Sequence, residues 1–576
     1  MSFKSIVILA AISQMISLFG FRNLRVVNAF SNACFVRKTT SLHSTPIQVK
    51  DETNIDTVPL RYVMIEKNKQ SMAFRNGSPL VFSGSVKKTI AINGSNEGTM
   101  PLSCLVGIVV ENENNNNVSK RSTKRGRSKG SLETKIKYNH YDVQNVEGKE
   151  FDMDGNLLNT VKDVSSIKRS ISEGKLIGFG FFNPVSMYRV FIFCHQSNYP
   201  ELFKTIKKIM KDSKKSERET TEEVIELVLK TKFQDAMRAR MLMNLPSDST
   251  DSYRLVNGEG DGLSGLAVDI LGGKVAVVMI SASWGEIYKN VVIRALKDIL
   301  SLHPVYGSND KSLDVVCRNT PLRLKQDGYV FPEEEEELVM PQSPETPVII
   351  NENSVKYFTY PYDLSSQKTG FYCDQRDNRF NLAKKCHSKN VLDLCCYNGG
   401  FALNAMIHGG AKSCIGVDSS QDAIDAACAN AELNDIDPNA IRFIKEDIAD
   451  FMRKAADEGK EFDVIVLDPP KLAPTVTALD RAARKYHSLN RDAIKLINSK
   501  DGGLLLTCTC SGAMTQKNGG QFFLETVKGA ALAANRRITL LHSNGAAPCH
   551  TQCPASFPAN AYLTAALFYI SPAEEP

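Results

Sequence analysis

The segment VLDLCCYNGGF at residues 391–401 constrains the fold of this chain more than any other feature of the sequence. An apolar run ends in an acid, two glycines follow, and residues 402–407 then have the composition of a helix. The pattern predicts a strand, a tight turn with little side-chain bulk, and a helix. Such a turn leaves the backbone open to a ligand, so the segment indicates an α/β domain with a nucleotide-like cofactor.

Three further acidic positions follow at the ends of predicted strands. A strand at 413–417 ends at Asp418, one at 441–445 ends near Asp447, and one at 462–467 ends in DPPK at 468–471. Ligands bind at the carboxyl ends of parallel strands, so these acids and the glycine turn are expected to share one edge of a sheet. Any one acid is equally well explained as a helix cap or turn residue, but four in register favour methyl transfer from S-adenosylmethionine.

The predicted contacts follow from the cofactor's chemistry. Small side chains at 398–400 let its methionine part lie against the backbone, the Asp418 carboxylate can accept both ribose hydroxyls, and Asp447 can accept from the adenine amino group. Asp418 lies about 20 residues beyond the glycines, which also suits a dinucleotide fold. A nicotinamide enzyme would need G-x-G-x-x-G at this turn, and the sequence does not supply it.

Three long motifs resemble the PUA-domain family of bacterial 23S ribosomal RNA methyltransferases, in particular its cytosine-C5 enzymes. QKTGFYCDQRDNR at 367–379 is similar to the family's motif before the first strand, and DSYRLVNGEGDGL at 251–263 to the signature of its middle region. SPLVFSGSV at 78–86 resembles the opening of its PUA domain. The likeness covers roughly residue 58 to the C-terminus with one insertion. It implies large-subunit ribosomal RNA as partner and S-adenosylmethionine as cofactor.

The resemblance also implies site residues, which join those expected from the strand pattern. The predicted cofactor-binding residues are Lys368, Thr369, Gly370, Gln375, Asp393, Asn398, Gly399, Gly400, Asp418, Asp447 and Asp468. The predicted substrate-binding residues are Pro469, Pro470, Lys471 and His550. For Lys471 a solvated side chain is an equal alternative, and His550 lies one residue away from the spacing of the family's histidine.

The segment at 502–510 indicates which reaction is catalysed. It is an apolar strand that begins with glycine, and Ser511 and Gly512 follow it. Carbon 5 of cytosine is a poor nucleophile, and a thiolate that adds to carbon 6 activates it as an enamine. Cys510 stands at the carboxyl end of this strand, where such a thiolate is needed, and the family's nucleophile aligns with it. Cys508 points to the same side but lies deeper, so it is interpreted as packing. Asp468 is expected to orient and hydrogen-bond the flipped cytosine, under a loop that the two prolines stiffen.

Other functions remain open at this point. Methyltransferases that act on guanine N7 or on exocyclic amines of RNA carry similar proline loops without a cysteine. One of these reactions is the better interpretation if Cys510 only fills space in the core. A non-catalytic RNA-binding assembly factor would need neither Cys510 nor the DPPK loop, and a small-molecule methyltransferase would not need the N-terminal domains. No second cysteine lies beside the proline loop, so the base that removes the C5 proton is not identified.

The other cysteines predict no metal site. Fourteen cysteines are scattered over 576 residues without paired C-x-x-C blocks. The loop CHTQC at 549–553 has no second half, while a structural zinc site needs about four ligands. Thiols at this density suit a reducing compartment.

The fold class expected is α/β: a Rossmann-like class I methyltransferase domain with a mostly parallel sheet, preceded by two other regions. Residues 1–57 are expected to be a targeting presequence and 58–195 a β-rich PUA domain, with a disordered insertion at about 111–156. Residues 196–350 are expected to form a helical linker and an α+β middle region that contains a strand at 274–280 and a helix at 284–302. The methyltransferase domain is expected at 351–576.

Charge distribution suggests location and RNA contacts. Residues 1–50 contain no acid, and an apolar segment at 6–19 precedes a small-residue cut site before Phe30. This pattern resembles a signal-plus-transit leader to the plastid stroma, with the mitochondrion as alternative; no membrane span is expected in the mature protein. The net charge of +6 is modest, so RNA-binding faces must be local, with 204–215 and 238–240 as candidates and a solvated helix face as an equal alternative. A homodimer is possible on sequence grounds but not predicted by any motif.

Overall fold

The computed structural model describes residues 61–65, 80–82, 86–92, 104–110, 148–151, 157–161 and 175–573, with gaps at 213, 308–312, 332–342, 344 and 364–369. All of these residues belong to one compact unit, Ile55–Pro576. The predicted leader, most of the predicted insertion, and Lys368 and Thr369 lie outside the described residues.

The N-terminal part of this unit is an eight-stranded sheet. Its strands are β1 Arg61–Ile65, β2 Leu80–Phe82, β3 Val86–Ile92, β4 Cys104–Val110, β5 Gly148–Phe151, β6 Leu157–Val161, β7 Lys175–Phe182 and β8 Tyr188–His195, in the order β2-β8-β7-β4-β1-β3-β5-β6. Neighbouring strands are antiparallel except β1 and β4. Alternating apolar side chains such as Val63, Val106 and Val190 are fully buried on one face, as a strand with one covered face requires.

Strand β5 corrects one sequence expectation. Residues 148–151 fall inside the segment predicted to be disordered, yet they pair with β3 and β6. The prediction rested on a composition that buries few apolar side chains. Backbone hydrogen bonds to an existing sheet provide another source of order, which composition does not reveal.

A helical and α+β region follows. Its elements are α1 Pro200–Ile209, α2 Glu217–Leu242, β9 Tyr253–Asn257, β10 Leu266–Leu271, β11 Val275–Ile280, α3 Ser283–Ile287, α4 Lys289–Ser301, β12 Asp314–Asn319 and α5 Pro321–Gln326. The four strands form one sheet in the order β12-β11-β10-β9, and a short 3-10 turn, Gly258–Asp261, follows β9. Helix α2 begins with a capping box in which Ser216 and Glu219 satisfy each other's backbone amides.

The single helix predicted at 284–302 is wrong, since two helices meet at Tyr288. The backbone of Tyr288 leaves helical geometry, with φ −105° and ψ 24°, and its ring lies 5.7 Å from that of Phe181 on β7. Trp284 stacks on the same phenylalanine at 5.2 Å. Contact with a ring on the first sheet therefore accompanies a break that helix propensity alone does not predict.

One hydrophobic core connects the first sheet to the middle region. Phe179 of β7 packs against Phe203 of α1 with ring centroids 5.1 Å apart, and both belong to a cluster that includes Phe233 of α2 and Val278 of β11. The chain therefore passes from strand-rich to helical structure near residue 195 without a break in the core.

The C-terminal part is a seven-stranded sheet flanked by helices. After the hairpin β13 Val348–Glu352 and β14 Val355–Thr359 come β15 Asn390–Leu394, β16 Ser413–Asp418, β17 Ile441–Lys445, β18 Val464–Leu467, β19 Gly503–Thr509, β20 Ile538–Asn544 and β21 Thr564–Ile570. The helices are α6 Arg376–Ala383, α7 Gly400–Ile407, α8 Gln421–Leu433, α9 Ile448–Asp457, α10 Leu479–Lys495, α11 Gly512–Gln516 and α12 Gln521–Ala533.

The strand order is β17-β16-β15-β18-β19-β21-β20. The first five strands in this order are parallel to one another, and β21 is antiparallel to both β19 and β20. The order reverses between β15 and β18, so a crevice opens at their carboxyl ends. Leu392, Leu394, Val464 and Leu467 are completely buried, which explains the continuous apolar runs of these strands. No helix in the described ranges combines the length and apolar character needed to span a membrane.

Candidate active site

The glycine turn after β15 is narrow and conformationally unusual. Gly399 has φ 82°, and Cys395 and Tyr397 also have positive φ values of 63° and 49°. A Cβ atom on Gly400 would lie 2.6 Å from Nε of Arg379, so a larger residue does not fit there. Non-glycine residues in the left-handed region are strained and cluster at functional sites. Residues 398–400 are buried, and a Cβ atom on Gly399 would lie 3.0 Å from the ring of Phe443, so packing requires small residues in this turn, which we call the glycine cradle.

Asp393, the last acid of β15 before this turn, carries a buried and incompletely satisfied carboxylate. Its side chain is 1% exposed, Oδ2 accepts a hydrogen bond from the amide of Ala402 at 3.1 Å, and Oδ1 has no hydrogen-bond partner among the described residues. Burial raises the pKa of Asp393 to about 7, and the nearby charge of Asp468 adds to the shift. A buried carboxylate oxygen without a partner suits a cationic ligand, since a positive charge would stabilise its ionised form. S-adenosylmethionine carries a sulfonium and an ammonium group, so the residues present fit this cofactor.

Asp418 and Asp447, which are predicted to bind the ribose and the adenine of the cofactor, also make hydrogen bonds within the protein. Asp418 Oδ2 accepts from the amide of Tyr397 and Oδ1 from the amide of Ser420, both at 3.0 Å. Asp447 caps α9 by accepting from the amides of Ala449 and Asp450. Asp418 and Asp447 thus do have the turn and helix-cap roles that were the alternatives to cofactor binding. Each oxygen of Asp418 keeps a second lone pair, and both bonds to Asp447 use Oδ1, so these contacts leave both Asp418 oxygens and Oδ2 of Asp447 able to accept from a ligand hydroxyl or amine.

Asp468 is held in place by a side chain from the motif that precedes β15. Nε2 of Gln375 donates to Asp468 Oδ2 at 2.9 Å, and Oε1 of Gln375 accepts from Asn378 Nδ2 at 2.7 Å. Gln375 is 4% exposed. Asn378 also donates to the carbonyl of Gly545 at 3.1 Å. Gln375, predicted as a cofactor ligand, therefore fixes the orientation of the Asp468 carboxylate, which lies half-buried at the end of β18.

The two cysteines of the 502–512 segment occupy different environments. Cys508 lies within β19 and is completely buried, whereas Cys510 follows the last residue of the strand and is half-buried. Burial, with a contribution from the charge of Asp468, raises the pKa of Cys508 well above its usual range. Because β18 and β19 are parallel neighbours with Leu467 opposite Thr507, Asp468 and Cys510 emerge at the same edge of the sheet. Of these two cysteines, Cys510 is the one that combines partial exposure with a position at the crevice.

Two tyrosines that no sequence motif predicted as site residues lie near Cys510 and Asp468, Tyr372 half-buried and Tyr486 completely buried. Burial raises the pKa of Tyr486 to about 12, and Cys510 and Asp468 both contribute in the same direction. The pKa of Tyr372 is raised by burial and by the same two residues, together with Tyr397 and Asp374. Tyr486 donates its hydroxyl to Thr509 Oγ1 at 2.8 Å. Tyr372 lies within the motif at 367–379, so it could have been predicted as a site residue from the sequence. Tyr486 lies on a helix without a motif and could not.

The DPPK loop is attached to the residue that follows Cys510. The amide of Ala473 donates to Oγ of Ser511 at 3.0 Å, and Ser511 is fully buried. Pro469 is buried, while Pro470 and Lys471 are exposed at the surface of the loop. The loop and the candidate nucleophile are thus coupled through one hydroxyl group.

The C-terminal loop that carries His550 is anchored on the middle region. Arg240 of α2 is completely buried, pairs with Asp261 through two hydrogen bonds of 2.6 and 2.8 Å, and donates to the carbonyl of Cys549 at 2.6 Å. Thr551 Oγ1 donates to Asp261 Oδ2 at 2.8 Å. Within the candidate RNA-binding segment 238–240, the expectation is therefore wrong for Arg240, which is buried and holds this loop, whereas Arg238 is exposed.

His550 and the neighbouring thiols do not form a metal site. His550 is 4% exposed, and its Nδ1 lies 3.5 Å from Sγ of Cys549. Cys553 instead donates to the carbonyl of Glu259 and to Asn560. Within the described part of the chain, no group of three or more His, Cys, Asp or Glu side chains could hold a metal ion.

The strand order, the glycine cradle and the acids at the carboxyl edge define a class I methyltransferase domain. The model of the family described as Conserved hypothetical protein 95 matches residues 374–528. The chain is 37% identical over 317 residues to Ribosomal RNA large subunit methyltransferase I of Cronobacter sakazakii, covering 55% of this chain and 74% of that protein. The protein of the same name from Escherichia coli O139:H28 is 36% identical over the same length, with the same coverage. The chain belongs to the ribosomal RNA large subunit methyltransferase I family.

Solved structures show the same fold. A methyltransferase named SMU.776, complexed with SAH, matches with a TM-score of 0.55 and 15% sequence identity, covering 88% of this chain and 99% of that one. A SAM-dependent methyltransferase from Streptococcus mutans matches with the same TM-score and identity, covering 88% and 100%. At this level of identity the likeness concerns the fold alone.

Proposed function

We propose that this protein methylates carbon 5 of a cytosine in large-subunit ribosomal RNA. Its cofactor is S-adenosylmethionine, which supplies the methyl group when bound. The observation that carries the proposal is the placement of Cys510 and Asp468 at the ends of adjacent strands, with Asp468 fixed by Gln375. Membership of the family supports ribosomal RNA as substrate.

Cys510 and Asp468 have separate roles in this reaction. The Cys510 thiolate forms a bond to carbon 6 of the flipped base, the π electrons of the C5–C6 bond form a C4–C5 double bond, and those of the C4–N3 bond move to N3, which takes up a proton. Carbon 5 of the resulting enamine is nucleophilic. Asp468 hydrogen-bonds the amino or ring-nitrogen edge of the cytosine and so holds the ring and stabilises this electron shift. After carbon 5 gains the methyl group it loses its proton to a base, the C6–S bond breaks, and the double bond returns. A base inside a duplex is out of reach, so the target must be flipped out of its stack.

The positions of the cysteines favour C5 chemistry over the alternatives. Methylation of guanine N7 or of an exocyclic amine would use the DPPK loop but gives Cys510 no function. A non-catalytic assembly factor would need neither residue. Cys508 is a poor substitute because burial holds its pKa well above the usual range, which disfavours its thiolate.

The test is methylation of a large-subunit ribosomal RNA transcript by the purified protein with labelled cofactor, followed by nucleoside analysis. Wild-type protein and Cys508→Ala are expected to yield 5-methylcytidine. Cys510→Ala is expected to lose the product while still binding the cofactor. Methylated guanosine, or an N-methylated nucleoside that persists in Cys510→Ala, would support the alternative reaction.

We further propose that the N-terminal sheet is a PUA-type RNA-binding domain and that the protein acts in plastids. The strand-rich architecture of β1 to β8 and the motif at 78–86 support the first proposal. The acid-free N-terminus with its apolar segment at 6–19 supports the second, with the mitochondrion as the alternative destination. A fluorescent protein fused to residues 1–57 is expected to enter plastids, and its accumulation in mitochondria would contradict the plastid assignment.

A further inference from the structure

A polar cavity of about 390 Å³ lies away from the methyl-transfer site, between the end of β8, helix α2, the 3-10 turn Gly258–Asp261 and the C-terminal loop. None of the predicted cofactor, catalytic or substrate residues lines it. Its volume falls within the range of about 300 to 1,000 Å³ that is typical of small-ligand pockets. It is large enough to hold one nucleotide base.

The most unusual residue of this cavity is Lys232 of α2. Its side chain is 6% exposed and makes no ion pair or hydrogen bond with the described residues; its ammonium lies 3.8 Å above the ring of Tyr199. A Cβ atom on Gly262 would lie 2.7 Å from Nζ, so the glycine of the middle-region signature makes room for the charge. A buried cation without an ion pair is costly, even where it lies over an aromatic ring. The ammonium is therefore available to a ligand in the cavity.

The carboxylates that line the cavity argue against a simple anion. Asp235 lies one helical turn beyond Lys232, and Glu259 comes from the 3-10 turn. Asp261 is already neutralised by Arg240. Asp235 also forms an exposed ion pair with Arg238, whose Nη1 lies 3.5 Å from Oδ1 and which does not line the cavity. Two carboxylates thus accompany one ammonium in the cavity lining, which disfavours a phosphate. A neutral molecule with one acceptor and adjacent N–H donors fits this set better.

Guanine has this pattern along one edge. Its O6 atom is an acceptor that lysine commonly contacts, and the neighbouring N1–H and N2–H groups can donate to a carboxylate. Adenine and cytosine offer a single amino group beside their acceptors, and uracil offers one N–H between two carbonyls. The guanine edge alone pairs a carbonyl with two adjacent donors.

We propose that this cavity binds an unpaired guanine of the RNA substrate, with Lys232 at O6 and Asp235 or Glu259 accepting from the N1–H and N2–H groups. The proposal rests on the proposed function in that it takes RNA as the substrate. The pocket would then set which sequence context the enzyme accepts, because sequence-specific proteins read unstacked bases in this way.

The proposed guanine site is tested by measuring the binding of guanosine monophosphate to the full-length protein with ligand-observed NMR. Adenosine, cytidine and uridine monophosphates and inorganic phosphate serve as comparison probes. Guanosine monophosphate is expected to bind at least about tenfold more tightly than the other probes. Equal binding of all nucleotides and of phosphate would identify an anion site, and no binding of guanosine monophosphate would also overturn the proposal.

Lys232→Met is expected to weaken guanosine monophosphate binding by at least about tenfold. Lys230→Met is the matched control, since Lys230 lies on the same helix and pairs outside the cavity with Glu226 and Asp298, both at 2.7 Å. The melting temperature of Lys232→Met should not fall, because the variant removes an unpaired buried charge. A lower melting temperature without a change in guanosine binding would assign Lys232 a structural role and contradict the proposal.

The methylation assay separates this proposal from the proposed function. If the protein methylates no RNA but binds guanosine monophosphate through Lys232, the function fails and the pocket stands. If methylation of ribosomal RNA is normal in Lys232→Met, with unchanged KM, the pocket proposal fails and the function stands.

Discussion

Replacement of Asp393 by asparagine should stabilise the fold and weaken cofactor binding at the same time. The carboxylate is 1% exposed at the end of β15, with one oxygen bonded to the amide of Ala402 and the other without a partner. Asparagine has the same shape and can keep the Ala402 hydrogen bond through its carbonyl oxygen. The substitution therefore removes the charge with little change in packing.

The size of the stability effect follows from the pKa. Burial raises the pKa of Asp393 from 3.8 to about 7, and each unit corresponds to about 1.4 kcal/mol, so the ionised carboxylate destabilises the fold by up to about 4 kcal/mol. Because the folded-state pKa is raised, this loss grows as pH rises from about 4 to about 7 and is complete above that. Thermal unfolding should show Asp393→Asn to be more stable at pH 8, with the two curves converging toward pH 4.

Cofactor binding should change in the opposite sense. A cationic ligand favours the ionised carboxylate, so wild-type affinity, measured by calorimetry, should fall about tenfold per pH unit below about 7. Asp393→Asn should bind more weakly near neutral pH and lack this slope. Asp463→Asn is a suitable control, since Asp463 accepts from the amide of Asn390 at the other end of the sheet. Equal affinity and equal slope in wild type and Asp393→Asn would refute the assignment.

Three other substitutions have defined outcomes. Arg240→Met leaves the Asp261 charge buried and unpaired and should cost about 3–5 kcal/mol in denaturant unfolding; the double variant with Asp261→Asn should recover much of this, and additive losses would contradict the pairing. Gly400→Ala places a Cβ atom 2.6 Å from Arg379 Nε and should cost about 1–3 kcal/mol and weaken cofactor binding, as measured by thermal shift with and without cofactor; unchanged values would show that the cradle can relax. Burial lowers the pKa of Lys232 from 10.5 to about 8, so Lys232→Met should gain up to about 3 kcal/mol below pH 8, and the gain should shrink as pH rises toward 10.5; a pH-independent difference would contradict this reasoning.

The cofactor domain was predictable in detail from the sequence. Strand β17 has the predicted limits, and β16, β18 and β19 differ from theirs by one or two residues. Their apolar runs are bounded by glycines and acids, so the local pattern and the buried parallel sheet agree. The positions of Asp468 and Cys510 at one edge follow from the same pattern together with the rule for parallel strands.

Long-range contacts were not predictable. Arg240 appears in the sequence as one charge in a basic helix, and only folding brings Asp261 and the carbonyl of Cys549 against it. Gln375 has the chemistry of a ligand contact, yet its partner Asp468 is 93 residues away. A single sequence shows which groups can form hydrogen bonds, but the choice of partner depends on tertiary geometry.

Bisulfite sequencing of large-subunit ribosomal RNA tests the central claim most directly. Cells that lack the protein would be supplied with wild type, Cys508→Ala or Cys510→Ala. The account predicts one cytosine that resists conversion with wild type and with Cys508→Ala, and that converts fully with Cys510→Ala. A cytosine that stays protected with Cys510→Ala but loses protection when the protein is absent would contradict the role of Cys510, and no difference at any cytosine would contradict C5 methylation.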